Sequence, residues 1–462
     1  MALGGSLRTA FFNCNIRLLA ERLSNIDYKE KSNKMKKLVA IVLSLAMILS
    51  LCACAKTESK GSVYWLNFKP ESDAALQQVA AKYKEKTGVD VKVITAASGE
   101  YQSTLTAEMD KSEPPTLFIV GNTEAVKTWG DYCYDLKDTA VAKELNTDAY
   151  NLYDASGKLC SIGYCYECFG IIVNKALLAK AGHSLDEIKD FASLKAVVED
   201  IHSRASELGF DAFTSSDMDP SSSWRFSGHL ANAALYYESN DDGGWTEAPA
   251  TIKGTYLANF KNLWDLYIQN SAYDTSTLAT GGHDAEAEFG KGEAVFYQNG
   301  NWEYAKLHDE FGLADEDLAM IPFYCGVEGE EKAGLNCGTE NCWAVNGKAK
   351  EKDIQATLDF MYWMVTDAEA TAMLADTFGA IPYKKAAAPA NVFLKQANEY
   401  VAAGNYVMTW AFNFTPNVDE WRSGVVSAMN LYDADPTDAN WDLVKTAFVE
   451  GWAAQYQAAN AG

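Results

Sequence analysis

The stretch "SVYWLNFKPESDAALQQVAAKYKEKTGVDVKVITA", residues 62–96, changes its hydrophobic period twice. Residues 62–68 are dense in β-branched and aromatic side chains and read as a strand that stops at Lys69-Pro70. Leu76, Val79, Ala80 and Tyr83 then recur at helical spacing, and Gly88 supplies the stop. "VDVKVITA" (89–96) alternates again, as a second strand does. "EYQSTLTAEMDK" (100–111) returns to helix, and Pro114-Pro115 leads into a third strand, "TLFIVG" (116–121). A β-α-β-α-β order calls for a parallel sheet covered by helices.

A second set follows. "FGIIVNK" (169–175) reads as a strand, "ALLAKAG" (176–182) as a helix, 185–209 as a long helical stretch, and "FDAFT" (210–214) as a strand. Helical patterns dominate after Lys350, and no internal repeat is present. The length of 462 residues suits two or three units of ordinary domain size. In open α/β sheets, ligands sit beyond the carboxyl ends of the strands. That rule selects Lys69 and Glu71 after the first strand, Asn122 after the third, and Glu167 between two apolar strand segments.

The N-terminus carries a different signal. Met35-Lys36-Lys37 opens a charge-free apolar run that ends in Leu51-Cys52-Ala53-Cys54. A basic start and an apolar core ending in small residues form a secretory signal. The run is shorter than the roughly 20 residues of a spanning helix. We therefore expect residues 35–53 to be a signal peptide, 54–61 a tether, and 1–34 an extension ahead of the true start at Met35.

The whole chain has a net charge of −24, and residues 1–53 are net basic, so the remainder is more acidic still. Such a surface repels nucleic acid and anionic membranes and favours a neutral ligand. Aromatics reach 12%, with 12 Trp and 24 Tyr, more than a packed core requires. Partly exposed aromatic rings suit flat apolar faces such as those of a pyranose. Seven cysteines follow Cys54, an odd number that prevents complete pairing within one chain. Cys165 and Cys168 lie in a strand pattern, where positions three apart face opposite sides; this disfavours a redox pair. No phosphate loop, no G-x-S-x-G elbow and no H-E-x-x-H is present. "LYDADPTDANWD" lacks the central Gly and terminal Glu of a calcium loop and reads as acids at helix ends. No metal or cofactor is expected.

Several segments in order carry a resemblance: the cysteine after the apolar run, "YKEKTGVDVKV", "YECFGIIVNKALLAKAG" and "FYQNGNW". Together they resemble the extracellular solute-binding proteins of bacterial ABC importers, and within these the carbohydrate-binding group that includes maltose-binding protein. The resemblance implies a two-lobe periplasmic-binding-protein-like fold (type II), with lobes joined by a hinge that the chain crosses more than once. It places lobe 1 at 62–167 plus 322–376 and lobe 2 at 168–321 plus 377–462. It also implies lipidation of Cys54 and anchoring on the outer face of the cytoplasmic membrane. The implied partners are an oligosaccharide and ABC permease subunits, with the protein itself a monomer. Glu167 matches the crossover acid that accepts sugar hydroxyls, and Trp302 the aromatic that stacks on a sugar ring. Lys69, Glu71 and Asn122 match polar loop contacts. Trp224 and Trp421 match aromatic positions less closely. The acid pair that follows the third strand in maltose-binding protein is not reproduced, which leaves the sugar open. A secreted glycoside hydrolase, or a binding protein for a peptide or other solute, are the alternatives.

Overall fold

The computed structural model describes residues 60–216, 218–219, 222–273 and 282–461. The extension, the apolar run, Cys54 and nearly all of the tether lie outside the described residues.

Two mixed sheets form the scaffold. The first contains β1 (Ser62–Asn67), β2 (Asp90–Thr95), β3 (Leu117–Ile119), β4 (Leu152–Tyr153) and β5 (Leu159–Gly163). The second contains β6 (Glu167–Asn174), β7 (Asp211–Phe213), β8 (Ala294–Gly300), β9 (Leu318–Ile321) and β10 (Ala333–Gly338). β11 (Cys342–Val345) then returns to the first sheet and β12 (Tyr406–Thr409) to the second. The spatial orders are β2-β1-β3-β11-β5-β4 and β12-β10-β6-β8-β7, with β9 beside the far half of β6. As the opening pattern requires, β1 pairs parallel with both β2 and β3. The helix between β1 and β2, Asp73–Thr87, buries Leu76, Val79, Ala80 and Tyr83 and ends on Gly88 at φ 74°, a left-handed cap that glycine adopts without a Cβ clash.

Each sheet organises its own core. One cluster joins Val63–Cys165 side chains to Trp343–Tyr383. The others draw on residues from Cys168 to Cys337 and from Phe393 to Trp452. Residues 333–338 fall in the segment expected for lobe 1, yet they pair antiparallel with β6 and parallel with β12 in the second sheet. Residues up to Tyr383, expected in lobe 2 beyond 376, pack in the first core, where the Tyr383 hydroxyl donates to the Gly163 carbonyl at 3.0 Å. The chain thus passes between sheets around 163–167, 338–342 and 383–392. The stretch 185–209 is not one helix: Asp190 caps a helix at Phe191–Ser203, and Ala205–Leu208 is a separate turn. The segment around Asp435 is the junction of two helices, Val418–Ala434 and Asp438–Ala459.

Candidate binding cleft

A cleft of about 240 Å³ opens where the strand ends of both sheets meet. Lys69 comes from the turn after β1. The Asn67 side chain clamps that turn: its Nδ2 donates to the Lys69 carbonyl at 2.7 Å and its Oδ1 accepts from the Lys69 amide at 3.1 Å. Pro70 then starts a short 3-10 turn, so the Lys69 side chain leaves at the base of the cleft. There its ammonium lies 2.7 Å from Glu167 and 3.0 Å from Glu71. Burial opposes the Lys69 charge, but the carboxylates of Glu167 and Glu71 outweigh it and hold the ammonium above the ordinary lysine pKa. Glu167, at the first position of β6, is 3% exposed. Its second oxygen accepts from Asn341 Nδ2 at 2.7 Å. Both carboxylate oxygens therefore already carry a donor, one from the turn after β1 and one from the connection between β10 and β11.

An aromatic wall stands beside this ion pair. Trp302 follows β8 in the turn Asn301–Glu303. Asn301 staples that turn to β6 by accepting from the Cys168 amide at 2.7 Å. A Cβ on Gly300 would lie 2.2 Å from the Trp302 ring, so only glycine there lets the indole lie along the strand end. Trp410, after β12, uses Gly338 the same way, with a Cβ there falling 2.8 Å from its ring. The Trp224 and Trp302 rings are 6.0 Å apart, and His229 sits 5.4 Å from Trp302 and 5.9 Å from Trp410. His229 belongs to a π-helical segment, Arg225–Leu230, a geometry that recurs at functional sites. Burial, with Arg422, Lys69 and Arg225 nearby, holds the His229 pKa well below its usual value and so favours the uncharged ring. The Lys69 ammonium lies 5.4 Å over the Trp302 ring.

Several cleft groups have buried polar atoms without a hydrogen-bond partner among the described residues: Trp410 Nε1, Arg422 Nε, His229 Nδ1 and Glu303 Oε2. Trp410 Nε1 and Arg422 Nε are fixed donors, and the Glu303 carboxyl donates or accepts according to its protonation. Burial pushes the Glu303 carboxyl up to about 8, with Glu286 adding to the effect. Burial also raises Glu340, against the pull of Arg422.

Of the residues singled out in the sequence, Lys69, Glu71, Asn122, Glu167, Trp224 and Trp302 all line the cleft. Asn122 also caps the helix Thr123–Trp129 by accepting from the Ala125 amide at 2.7 Å, which leaves its Nδ2 as the remaining donor. Trp421 is not among them. It is 2% exposed, donates from Nε1 to the Phe448 carbonyl at 3.1 Å and packs against Phe448 and Trp452. Its neighbour Arg422 lines the cleft instead. Trp421, Val425, Ala428, Met429 and Tyr432 mark the buried face of that helix, so position 422 points elsewhere. The helix starts at Asn417, whose φ of 40° is the one positive value for a non-glycine among the described residues. Asn tolerates that region better than most residues. Arg422, Trp410, His229, Glu303 and Glu340 also line the cleft, and none of them stood out in the sequence. Trp410 was within reach, since "YVMTW" ends a β-rich segment and strand ends were the positions in question.

Two lobes with a polar and aromatic cleft between them define a solute-binding architecture. A family profile described as bacterial extracellular solute-binding protein matches residues 78–403, and the chain belongs to that family. Its members are binding proteins, not enzymes. No curated protein sequence matches the chain. Among solved structures, the solute-binding protein RafE in complex with raffinose is similar at TM-score 0.64 and 13% identity, over 86% of this chain and 99% of that one. The GacH receptor of Streptomyces glaucescens, solved unliganded and with acarbose, is similar at TM-score 0.62 and 16% identity, over 86% and 98%. A mannobiose complex of an ABC-transporter binding protein from Bifidobacterium animalis subsp. lactis gives TM-score 0.61 and 14% identity, over 87% and 96%. These likenesses establish a type II binding-protein fold. Among the described residues no helix is long and apolar enough to cross a membrane.

Proposed function

We propose that this protein captures a neutral oligosaccharide and delivers it to the permease subunits of an ABC importer. The observation that carries the reading is the composition of the cleft: a wall of Trp224, Trp302 and Trp410 beside unpartnered donors and acceptors on Trp410, Arg422 and Glu303. A pyranose offers an apolar face to the rings and hydroxyls that both donate and accept. A buried polar atom left unpaired costs about 1–3 kcal/mol, and ligand hydroxyls remove that cost on binding. The solved relatives with raffinose, acarbose and mannobiose point the same way. Lys69, Glu71, Asn122, Glu167, Trp224 and Trp302 are the contacts we assign from the sequence, and Arg422 and Trp410 those added by the structure.

Anchoring through a lipid on Cys54 completes the proposal. Two or three acyl chains on one cysteine hold a protein stably, where a single chain is marginal. Cys54→Ser should release the protein from cells into the medium. A calorimetric screen of the full chain against neutral mono- and oligosaccharides tests the ligand reading. Saturable heat with at least one oligosaccharide, recovered intact afterwards, is the expected result. Binding confined to peptides or anions would overturn it.

A further inference from the structure

Seven cysteines lie among the described residues, all of them buried. Two of them face each other in the second sheet. On the antiparallel pair β6 and β10, Cys168 is directly opposite Cys337, flanked by Phe169 opposite Asn336 and Glu167 opposite Gly338. Directly opposed residues project to the same face of a sheet. Both side chains accordingly lie in one apolar cluster with Ile172, Tyr297 and Leu335. The Cys168 amide donates to Asn301 Oδ1 at 2.7 Å, on the β8 side, and so points away from β10. A strand residue whose amide turns away from its neighbour forms the narrow, non-hydrogen-bonded kind of pair, with Cα atoms about 4.5 Å apart. That spacing falls within the ~4.4–6.8 Å over which disulfides form. The protein belongs to an extracellular family, and disulfides persist outside the cytoplasm.

We propose that Cys168 and Cys337 form a cross-strand disulfide in the exported protein, linking the two strands that carry the chain into and out of the second lobe. The bond forms by thiol–disulfide exchange with a low-molecular-weight disulfide. One thiolate attacks that disulfide and expels one reduced thiol. The second thiolate then attacks the mixed disulfide and expels the other. The two cysteines lose two electrons and two protons in all, and the small disulfide is reduced to two thiols. Burial raises the pKa of both thiols, Cys168 well above the usual value and Cys337 to about 11. Exchange is therefore slow in the folded protein, and the bond is made while the chain folds. Its place has a consequence for the cleft. Cys168 follows Glu167, and Cys337 precedes the glycine on which Trp410 lies, so the link fixes the cleft floor.

The test uses the full chain, reduced and denatured, then refolded with oxidised glutathione. Remaining thiols are alkylated in denaturant without reductant, and the peptides are mapped by mass. The expected result is loss of alkylation at Cys168 and Cys337, with their two peptides joined and separating on reduction. In Cys168→Ser, Cys337 should become alkylated. Chain extracted from the cell surface and alkylated directly gives the same reading if refolding fails. Alkylation of both residues in folded protein, or linkage of either to another cysteine, would overturn the proposal.

Discussion

Trp302 is held as a platform by its neighbours: Gly300 leaves room for the indole, and Asn301 ties the turn to β6. Its ring is partly exposed to the cleft. Trp302→Ala should therefore weaken oligosaccharide binding by about 2 to 4 kcal/mol, as truncation of an aromatic anchor does. Calorimetry measures that loss, and the ligand-free melting temperature should stay close to wild type. A sharp drop in melting temperature with unchanged affinity would make Trp302 a packing residue. A second residue-scale prediction concerns Asp433, buried in the second lobe and accepting from Trp264 Nε1 at 2.9 Å. Burial pushes its carboxyl up to about 8, despite the hydrogen bond from Trp264. A carboxyl raised in the folded state binds its proton more tightly there than in the unfolded chain. Its contribution is full below the unfolded value of about 4 and is lost as pH rises through about 8. Asp433→Asn keeps an acceptor for Trp264 and removes the charge. The variant's melting temperature relative to wild type should be more favourable at pH 8 than at pH 5. Equal differences at the two pH values would show that Asp433 does not titrate in this range. Neither Asp433 nor Glu303 stood out in the sequence, because nothing local marks which of the 63 acidic residues is buried.

At the scale of elements, the ion pair between the β1 turn and the start of β6 decides how the cleft floor is held. From the sequence, Glu167 is a sugar acceptor; in the structure Lys69 and Asn341 each donate to one of its oxygens, and the second lone pair of each oxygen remains for a ligand. Glu167→Gln leaves the Lys69 ammonium with only the half-exposed Glu71 as counter-charge. Breaking a buried pair from one side costs about 3–5 kcal/mol, whereas removing both charges costs less. Glu167→Gln should thus lower the ligand-free melting temperature, and adding Lys69→Met should recover part of the loss. Strict additivity in that cycle would mean that the pair is not coupled. The alternating and helical periods around 62–96 gave β1, β2 and the helix between them correctly, because both faces of those elements are set by local hydrophobic spacing. The interruption within 185–209 was hidden, since the capping hydrogen bonds of Asp190 compete with continued helix and periodicity alone does not weigh them. Trp421 was misread for a related reason. Pattern placed an aromatic near the helix start, and only the packing of Phe448 and Trp452 shows which face is core.

At the scale of the molecule, the lobe plan was legible and its seams were not. Strands come from distant parts of the chain: β11 enters the first sheet between β3 and β5, and β10 and β12 pair in the second. Such long-range pairing has no local signature, so the crossings fell at different residues from those expected. The cleft is lined by both lobes, with Lys69 and Asn122 from one side and Trp302, Trp410 and Arg422 from the other. A ligand that contacts both lobes favours the form in which they approach. Solution scattering should then give a radius of gyration with saturating oligosaccharide no larger than without it, and smaller wherever the free protein populates an open form. An increase would contradict closure. The most direct measurement is a crystal structure of the protein with its tightest-binding oligosaccharide. A sugar ring should lie against Trp302, with hydroxyls on Trp410 Nε1, Arg422 and Glu303. A ligand seated outside this cleft, or in it without contact to Trp302 and Arg422, would show that these residues do not form the binding site.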